Sequence, residues 1–334
     1  MDRRRFLEGF FTCSSVVATM GYLNFKLQPN LLSPTLSTTE SNTASIQAKI
    51  IASVEDISAA TSSTTEHHSI QANAKLENTL AQQNLKGEGK ISIKDLNNNY
   101  LNKISNFDEQ HTDDIYINQT MVEPLTAAIK RLDRVQRLVG HGHFNIIGFD
   151  EMLKLSANYS QVGEFTRQEL DFMEFIFGGN AKHYGFLGGK VQTSITTQIK
   201  KRDTIKVPRS GHYLFKGDAL ALYQRIHKDV GGSIILTSGV RSVVKQMHLF
   251  LKKTVQAEGN LSRASRSLAP PGHSYHAVGD FDVGKIGFGY RNFTSDFANT
   301  DEFKRLRQLT YVNIRYTSNN LFGVRFEPWH VKLA

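Results

Sequence analysis

Imidazole and carboxylate groups concentrate in two short segments of the 334-residue sequence. The two segments hold these candidate residues: His273, His276, Asp280, Asp282, Glu327 and His330. Cys13 is the only cysteine, so histidine and carboxylate must hold any metal. Two imidazoles and one carboxylate can bind zinc and leave a fourth coordination position open for water. A further carboxylate just outside the ligands can then accept a proton from that water, so the pattern predicts a catalytic metal site.

Two questions of geometry stay open in these segments. If the first segment ends in a strand, Asp280 and Asp282 project to the same face, because alternate side chains share a face. Alternation therefore does not choose between the two carboxylates. In a regular strand Glu327 and His330 would face opposite ways, so we predict a bend at Pro328 that lets both approach one centre.

Hydrophobic periodicity predicts the elements that must position these groups. Helices are predicted at residues 123–139, 164–177, 218–230 and 241–255. Strands are predicted at residues 233–237, 279–283, 314–316 and 324–326. We therefore predict an α+β fold in which a small, mostly antiparallel sheet with flanking helices carries the zinc site, preceded by a helical region and a disordered stalk.

Composition divides the chain into four parts. We predict an export signal at 1–28, a low-complexity flexible stalk at 29–112, a helical region at 113–206 that packs on the following domain, and the zinc-site domain at 207–334. The stalk is rich in Ser, Thr, Asn, Gln and Ala. Its apolar residues are too sparse to offset the conformational entropy of the chain, so it is predicted to stay unfolded.

The N-terminal sequence predicts the compartment. Arg3-Arg4-Arg5-Phe6-Leu7 precedes an apolar stretch that is too short and too weakly apolar for a comfortable membrane span. The order Arg-Arg-x-Phe-Leu resembles a twin-arginine export signal. An ordinary Sec signal and an uncleaved anchor are the alternatives. We predict a protein exported to the periplasm or cell envelope, with the N-terminal segment contacting the membrane during export.

The net charge of +9 comes from the second part of the chain. Residues 1–205 contain 21 Lys and Arg against 22 Asp and Glu, a net charge of −1, whereas residues 206–334 contain 19 against 9, a net charge of +10. A basic surface favours an acidic partner such as nucleic acid, anionic lipid or an anionic cell-wall polymer. We predict no nucleic-acid partner, because no motif of that class is recognised and the N-terminus predicts export.

The chemistry-bearing segments resemble a known family. Three motifs follow one another in the family's order: Ser238-Gly239-Val240-Arg241-Ser242-x-x-x-Gln246, Ser274-x-His276-x-x-Gly279 followed by an aspartate, and Glu327-x-Trp329-His330. This pattern is similar to the VanY-type D-alanyl-D-alanine carboxypeptidases, which belong to a zinc peptidase group with lysostaphin-like enzymes and the hedgehog signalling domain. The resemblance covers about residues 210–334.

The resemblance implies roles for individual residues. Zinc would be bound by His276, an aspartate and His330, with Glu327 as general base and Arg241 steadying the substrate or its oxyanion. The implied substrate-binding residues are Ser238, Arg241, Gln246, Ser274, Tyr275 and Trp329.

The aspartate ligand is the point at which this sequence departs from the family. The family places its aspartate seven residues after the histidine, whereas Asp282 is six residues and Asp280 four residues after His276. We favour Asp282 because Val283 follows it, as an apolar residue follows the family's ligand, and Asp280 stays open.

The resemblance also implies the substrate. Together with export and the basic surface, it predicts a monomeric zinc metallopeptidase acting on peptidoglycan stem peptides. The sequence does not separate a carboxypeptidase from an endopeptidase. The alternative is a non-catalytic domain that binds cell wall or a partner and keeps its zinc site for structure.

Overall fold

The computed structural model describes residues 93–333, with side chains described from residue 99 onward. This part of the chain has an α+β fold with two small antiparallel sheets, which confirms the predicted fold class. Between residues 93 and 333 no helix has both the length and the apolar character needed to cross a bilayer. The export signal at 1–28 and most of the predicted stalk lie outside the described residues.

Eight α-helices and six strands form the described part of the chain. The helices are α1 Ile93–Ser105, α2 Val122–Phe144, α3 Phe149–Asn158, α4 Arg167–Gly178, α5 Asp218–Val230, α6 Val243–Gln256, α7 Leu261–Ser267 and α8 Asp301–Gln308. The strands are β1 Thr204–Lys206, β2 Tyr213–Phe215, β3 Ile234–Ser238, β4 Phe281–Lys285, β5 Asn313–Ile314 and β6 His330–Lys332.

The four predicted helices are present, and their ends follow local capping chemistry. Helix α4 begins with a capping box, in which the Thr166 hydroxyl accepts from the Glu169 amide at 3.2 Å and the Glu169 carboxylate accepts from the Thr166 amide at 2.6 Å. Gly140, with φ of 79°, interrupts the helical backbone of α2 at the predicted end of that helix. Buried residues of α2, α4 and α6, including Leu132, Met173 and Phe250, share one hydrophobic core.

Residues 93–112 are folded, although they lie within the predicted stalk at 29–112. The Tyr100 hydroxyl donates to the Asn320 carbonyl at 2.9 Å and accepts from the Gly323 amide at 2.7 Å. Arg266 donates to the backbone carbonyl of Phe107 at 3.1 Å. The predicted stalk therefore does not include residues 93–112, and the rest of it lies outside the described residues. These polar anchors come from residues more than 150 positions away, which is why local composition does not reveal them.

A buried ion pair next to this segment predicts a pH dependence of stability. Burial alone would raise the pKa of Asp114, but hydrogen bonds from Arg266, Asn260 and the His111 backbone, with the charge of Arg266, lower it to about 2. Because the folded pKa lies below the ordinary 3.8, the stabilisation is present above 3.8 and is lost as the pH falls through about 2. We expect urea unfolding of Asp114→Asn to show lower stability at pH 7 and a weaker decline between pH 4 and pH 2.

The matched control is Asp150→Asn, which changes an exposed aspartate on α3. It should keep the stability and acid sensitivity of the wild type. The same acid decline in Asp114→Asn as in the wild type would contradict the role given to this carboxylate.

The sheet that carries the candidate site has the strand order β3-β4-β6-β5, and all its pairs are antiparallel. Predicted strands 233–237, 279–283 and 314–316 correspond to β3, β4 and β5 with shifted ends. The predicted strand at 324–326 is wrong. There the Arg325 amide donates to the Arg266 carbonyl at 2.8 Å, which is not part of a strand pair. The strand that pairs with β4 and β5 is instead β6, which begins after Pro328.

Candidate metal centre

Three candidate residues meet at the centre of the sheet. His276, Asp282 and His330 are buried, and each offers one ligand atom within 4.8 Å of the others. Asp282 in β4 pairs directly with His330 in β6. His276 comes from a short 3₁₀ turn, Tyr275–Ala277, just before β4. The residues are therefore held by two paired strands and one turn, an arrangement with little freedom to move.

His276 has its tautomer fixed by the backbone. Its Nδ1 donates to the Gly239 carbonyl oxygen at 2.9 Å, which leaves the lone pair on Nε2. That Nε2 lies 3.3 Å from Asp282 Oδ2 and has no hydrogen-bond partner. Burial, and to a lesser extent the charge of Arg241, lowers the pKa of His276 to about 4. The ring is therefore neutral at pH 7, as a metal ligand must be.

His330 is oriented from the opposite side. Its Nε2 donates to Asp280 Oδ2 at 2.9 Å, and its Nδ1 lies 3.1 Å from Asp282 Oδ1. Burial alone would lower the pKa of His330, but the hydrogen bond to Asp280 and the charges of both aspartates raise it to about 9. Without a metal the two carboxylates thus stabilise a proton on this ring, and a metal ion bound at Nδ1 would take the place of that proton.

Asp280 lies behind His330 rather than among the clustered ligand atoms. Its carboxylate accepts from Arg315 Nη2 at 2.9 Å and from the Leu333 amide at 2.9 Å. Strand β4 begins at Phe281, so Asp280 precedes the strand and the predicted shared face does not apply. A carboxylate that accepts from the outer nitrogen of a ligand histidine orients its ring and raises its basicity. Between the two aspartates left open by the sequence, the geometry therefore favours Asp282 as the ligand.

The residues present fit a divalent metal ion. His276 Nε2 and Asp282 Oδ1 are both buried without a hydrogen-bond partner, although an unpaired buried polar atom is costly. Burial alone would raise the pKa of Asp282, but the charges of His276 and Arg241 hold it well below its usual range. Two imidazole nitrogens and one carboxylate oxygen are a donor set that suits zinc.

Glu327 lies beside this set without joining it. Its Oε2 is 3.7 Å from His330 Nδ1, and its Oε1 is 3.9 Å from Arg325 Nε. The His330 amide donates to the Glu327 carbonyl at 3.1 Å, which closes the bend predicted at Pro328. Burial raises the pKa of Glu327 to about 7 against the opposing charges of His330 and Arg325. A carboxylate with this pKa can accept and return a proton near neutral pH.

Sequence motifs and geometry converge on one family. Residues 216–334 match the family model of VanY, D-alanyl-D-alanine carboxypeptidase. The predicted family resemblance is confirmed. The match includes all three sequence motifs and the whole of the candidate metal centre. It begins near the end of β2 and leaves helices α1 to α4 outside the VanY-type domain.

Solved structures also resemble the chain. LdcB, an LD-carboxypeptidase whose structure concerns peptidoglycan recognition, is 23% identical over 40% of this chain and 69% of its own, with a TM-score of 0.32. VanYB in complex with D-alanine-D-alanine is 19% identical over 42% of this chain and 80% of its own, with a TM-score of 0.32. The D,D-dipeptidase VanXYg, bound to a phosphinate analogue, is 20% identical over 43% of this chain and 62% of its own, with a TM-score of 0.33. Among curated proteins, none matches the sequence.

Arg241 of the VanY-type domain lies at the metal centre. Its Nη2 donates to Asp282 Oδ2 at 2.7 Å, and its Nε donates to the Ser238 hydroxyl at 2.9 Å. A register shift in β3 between Leu236 and Ser238 places Ser238 opposite Asp282. The irregular strand end therefore aims both residues at the site.

Gln246 and Trp329 are buried and have partners inside the protein, and their predicted contact with a substrate stays a prediction. Gln246 is 1% exposed, and its Nε2 donates to the Ala269 carbonyl at 2.6 Å. Trp329 is 3% exposed and packs edge-on against Phe293 in the core beneath the sheet. Both residues thus support the fold around the site.

The remaining predicted substrate residues, Ser274 and Tyr275, directly precede His276. Ser274 is buried, and Tyr275 is half-buried with the Arg315 guanidinium 3.8 Å from the centre of its ring. Sequence reasoning missed Arg315 itself, which holds Asp280, and Tyr316, whose ring packs 4.8 Å from that of His330. Both residues lie within the predicted strand at 314–316 and directly follow β5, and neither belongs to a motif that singles it out.

Proposed function

We propose that the protein is a zinc-dependent peptidase that hydrolyses amide bonds in peptidoglycan stem peptides. The observation that carries the proposal is a buried cluster of His276, Asp282 and His330, with two unpaired ligand atoms, beside a separate buried carboxylate on Glu327. Its position within a VanY-type domain supports a D-alanyl-D-alanine carboxypeptidase or a related endopeptidase.

The zinc would be held by His276 Nε2, His330 Nδ1 and the Asp282 carboxylate. When bound, zinc supplies a Lewis acid that polarises the scissile carbonyl and makes a nearby water more acidic. Asp280 and Arg315 hold the His330 ring in its tautomer and orientation. Gly239 does the same for His276.

Glu327 is proposed as the general base. Its raised pKa, about 7, lets it accept a proton from the attacking water and return that proton to the leaving amine. Because water itself is the nucleophile, no covalent intermediate with the protein is required. Arg241 is proposed to donate a hydrogen bond to the substrate or to the oxyanion that forms on it, with Ser238 holding its guanidinium in place.

The setting of this reaction is also a proposal. Stem peptides carry carboxylates, which suit the net charge of +10 in residues 206–334. They lie outside the cytoplasmic membrane, which matches the predicted export to the periplasm or cell envelope. We also propose that the protein is a monomer.

Digestion of purified sacculi tests the proposed function. The zinc-loaded protein should release D-alanine from stem peptides or cut the cross-links between them, and mass spectrometry of the products separates the two activities. Protein treated with a chelator should be inactive and should regain activity when zinc is restored. Unchanged sacculi after treatment with zinc-loaded, folded protein would overturn the proposal and favour a binding domain with a structural metal.

A further inference from the structure

Arg325 lies beside the proposed general base and belongs to none of the three sequence motifs. Its Nε is 3.9 Å from Glu327 Oε1, while Glu327 Oε2 is 3.7 Å from His330 Nδ1. One carboxylate oxygen is thus next to a guanidinium, and the other is next to a proposed metal ligand. A movement of about 1 Å would bring Arg325 and Glu327 to hydrogen-bond distance. Arginine stays protonated at neutral pH, so the positive charge beside Glu327 is permanent.

The Arg325 guanidinium is held on several sides. Its central carbon lies 4.4 Å from the centre of the Phe107 ring and 5.0 Å from the centre of the Trp329 ring. Its Nη2 donates to the Phe293 carbonyl at 2.9 Å. Guanidinium groups are attracted to aromatic faces, so these contacts restrict the side chain. Nε is buried without a hydrogen-bond partner, which leaves it as the donor available to Glu327.

Phe107 lies outside the VanY match, which begins at residue 216. Arg266 connects it to the stretch of chain before the proposed base. Arg266 Nε donates to the Phe107 carbonyl at 3.1 Å, and the Arg266 carbonyl accepts from the Arg325 amide at 2.8 Å. The Tyr100 hydroxyl accepts from the Gly323 amide of the same stretch at 2.7 Å. The segment after the predicted stalk therefore contacts the chain before the base at two places.

The ion pair between Arg325 and Glu327 is largely shielded from water. The two side chains are 17% and 10% exposed. Within the described residues the guanidinium forms one ion pair, which is with Glu327. Attraction between charges is stronger where water is excluded, so a guanidinium at this place can direct the carboxylate beside it.

We propose that Arg325 is a positioning residue for Glu327 and that Phe107 holds the Arg325 guanidinium in place. The guanidinium attracts Oε1, which directs Oε2 to the side of the metal centre, where the attacking water gives up its proton. This inference rests on the proposed function, because it takes Glu327 as the general base. It makes the segment around Phe107 a part of the active enzyme, although that segment lies outside the VanY match.

Arg325→Met tests the positioning role on zinc-loaded protein with a synthetic stem pentapeptide that ends in D-Ala-D-Ala. Methionine keeps an unbranched side chain between the two rings and removes the charge. We expect kcat to fall about 10–100-fold, with KM and zinc content near their wild-type values, because the base is misplaced while binding is untouched. Arg325→Lys keeps a positive charge and should recover part of the lost kcat.

Phe107→Leu tests the contribution of the segment outside the VanY match. Leucine keeps an apolar side chain but offers no ring face to the guanidinium. We expect kcat to fall about three- to fivefold at an unchanged KM, because Arg325 is then held less firmly.

The matched control is Arg225→Met on α5. The Arg225 guanidinium lies 3.6 Å from the centre of the Tyr311 ring, and its Nε is 3.9 Å from Asp229. This variant therefore loses the same two kinds of contact as Arg325→Met, but next to a carboxylate that has no role in the reaction. It should keep the wild-type kcat.

Two double-mutant cycles measure the same contacts without any substrate. Urea unfolding of metal-free protein is followed at pH 8, where the Glu327 carboxylate is mostly ionised. One cycle combines Phe107→Leu with Arg325→Met, and the other combines Arg325→Met with Glu327→Gln. Each double variant should be more stable than the sum of the single effects predicts, by at least about threefold in the unfolding equilibrium constant.

An unchanged kcat in Arg325→Met, a fall in kcat matched by a loss of zinc, or additive effects in the cycle with Glu327 would overturn the positioning role. Additive effects in the cycle with Phe107 would overturn the part given to that residue. If wild-type protein cuts no peptide, the proposed function fails, while the two cycles still decide whether Phe107 holds Arg325 and Arg325 holds Glu327. Melting temperatures show whether each variant is folded, and Arg325→Gln replaces Arg325→Met in every comparison if the latter is not.

Discussion

The Glu327→Gln variant is expected to keep its metal and its fold and to lose turnover by about 10²–10⁴-fold. Glutamine is nearly isosteric with glutamate but cannot accept the proton of the attacking water. Glu327 lies beside the three proposed ligands and outside their set, so the change should not disturb metal binding. The measurement is a paired one, in which zinc stoichiometry and stem-peptide hydrolysis are determined on the same preparation.

The matched control for this variant is Glu302→Gln. Glu302 is also buried in the VanY-type domain, but it pairs with Lys285 at 3.2 Å, away from the metal centre. Its replacement should lower the melting temperature and leave turnover unchanged. Near-wild-type turnover by Glu327→Gln would remove Glu327 from the mechanism, and loss of metal from that variant would make Glu327 a ligand.

Replacing any one of the proposed ligands is expected to remove the metal. His276→Ala, Asp282→Ala and His330→Ala each delete one of three protein ligands, so zinc content after dialysis should fall from one ion per chain to near zero. Asp280→Ala should keep the metal with affinity reduced by about 10–100-fold, because Asp280 orients His330 without belonging to the clustered ligand atoms. Metal analysis and competition with a chelator measure the two effects.

His143→Ala is the control for the loss of a histidine. His143 contacts Glu151 at 3.0 Å in the helical region. The His143→Ala protein should therefore still bind one zinc ion per chain. Full zinc occupancy in both His276→Ala and His330→Ala would rule out the assigned centre. Loss of metal from Asp280→Ala with retention in Asp282→Ala would exchange the roles of the two aspartates.

Sequence motifs predict the proposed metal ligands and Glu327 better than they predict the residues that hold these side chains in place. His276, His330 and Glu327 are recognisable because their spacing resembles the VanY pattern. The choice between Asp280 and Asp282 depends on where β4 begins, and a difference of one residue in a strand boundary lies below what periodicity resolves.

The supporting residues depend on contacts between distant parts of the chain. Arg315 reaches Asp280 from 35 residues away, and Tyr100 reaches Asn320 from 220 residues away. Neither pair has a local signature. At Gln246 the motif predicts a substrate contact, whereas the buried hydrogen bond from its Nε2 to the Ala269 carbonyl has no local signature.

The position of β6 in the sheet has a consequence for biosynthesis. Strand β6 is the last strand in sequence but an inner strand in space, with β4 on one side and β5 on the other. Until residues 330–332 are made, both neighbours present unpaired edges, which are sites for aggregation. The nascent chain can fold its helices early, but the sheet closes only after translation has reached β6. Because His330 is the first residue of that strand, the protein cannot assemble its metal centre before its sheet is complete.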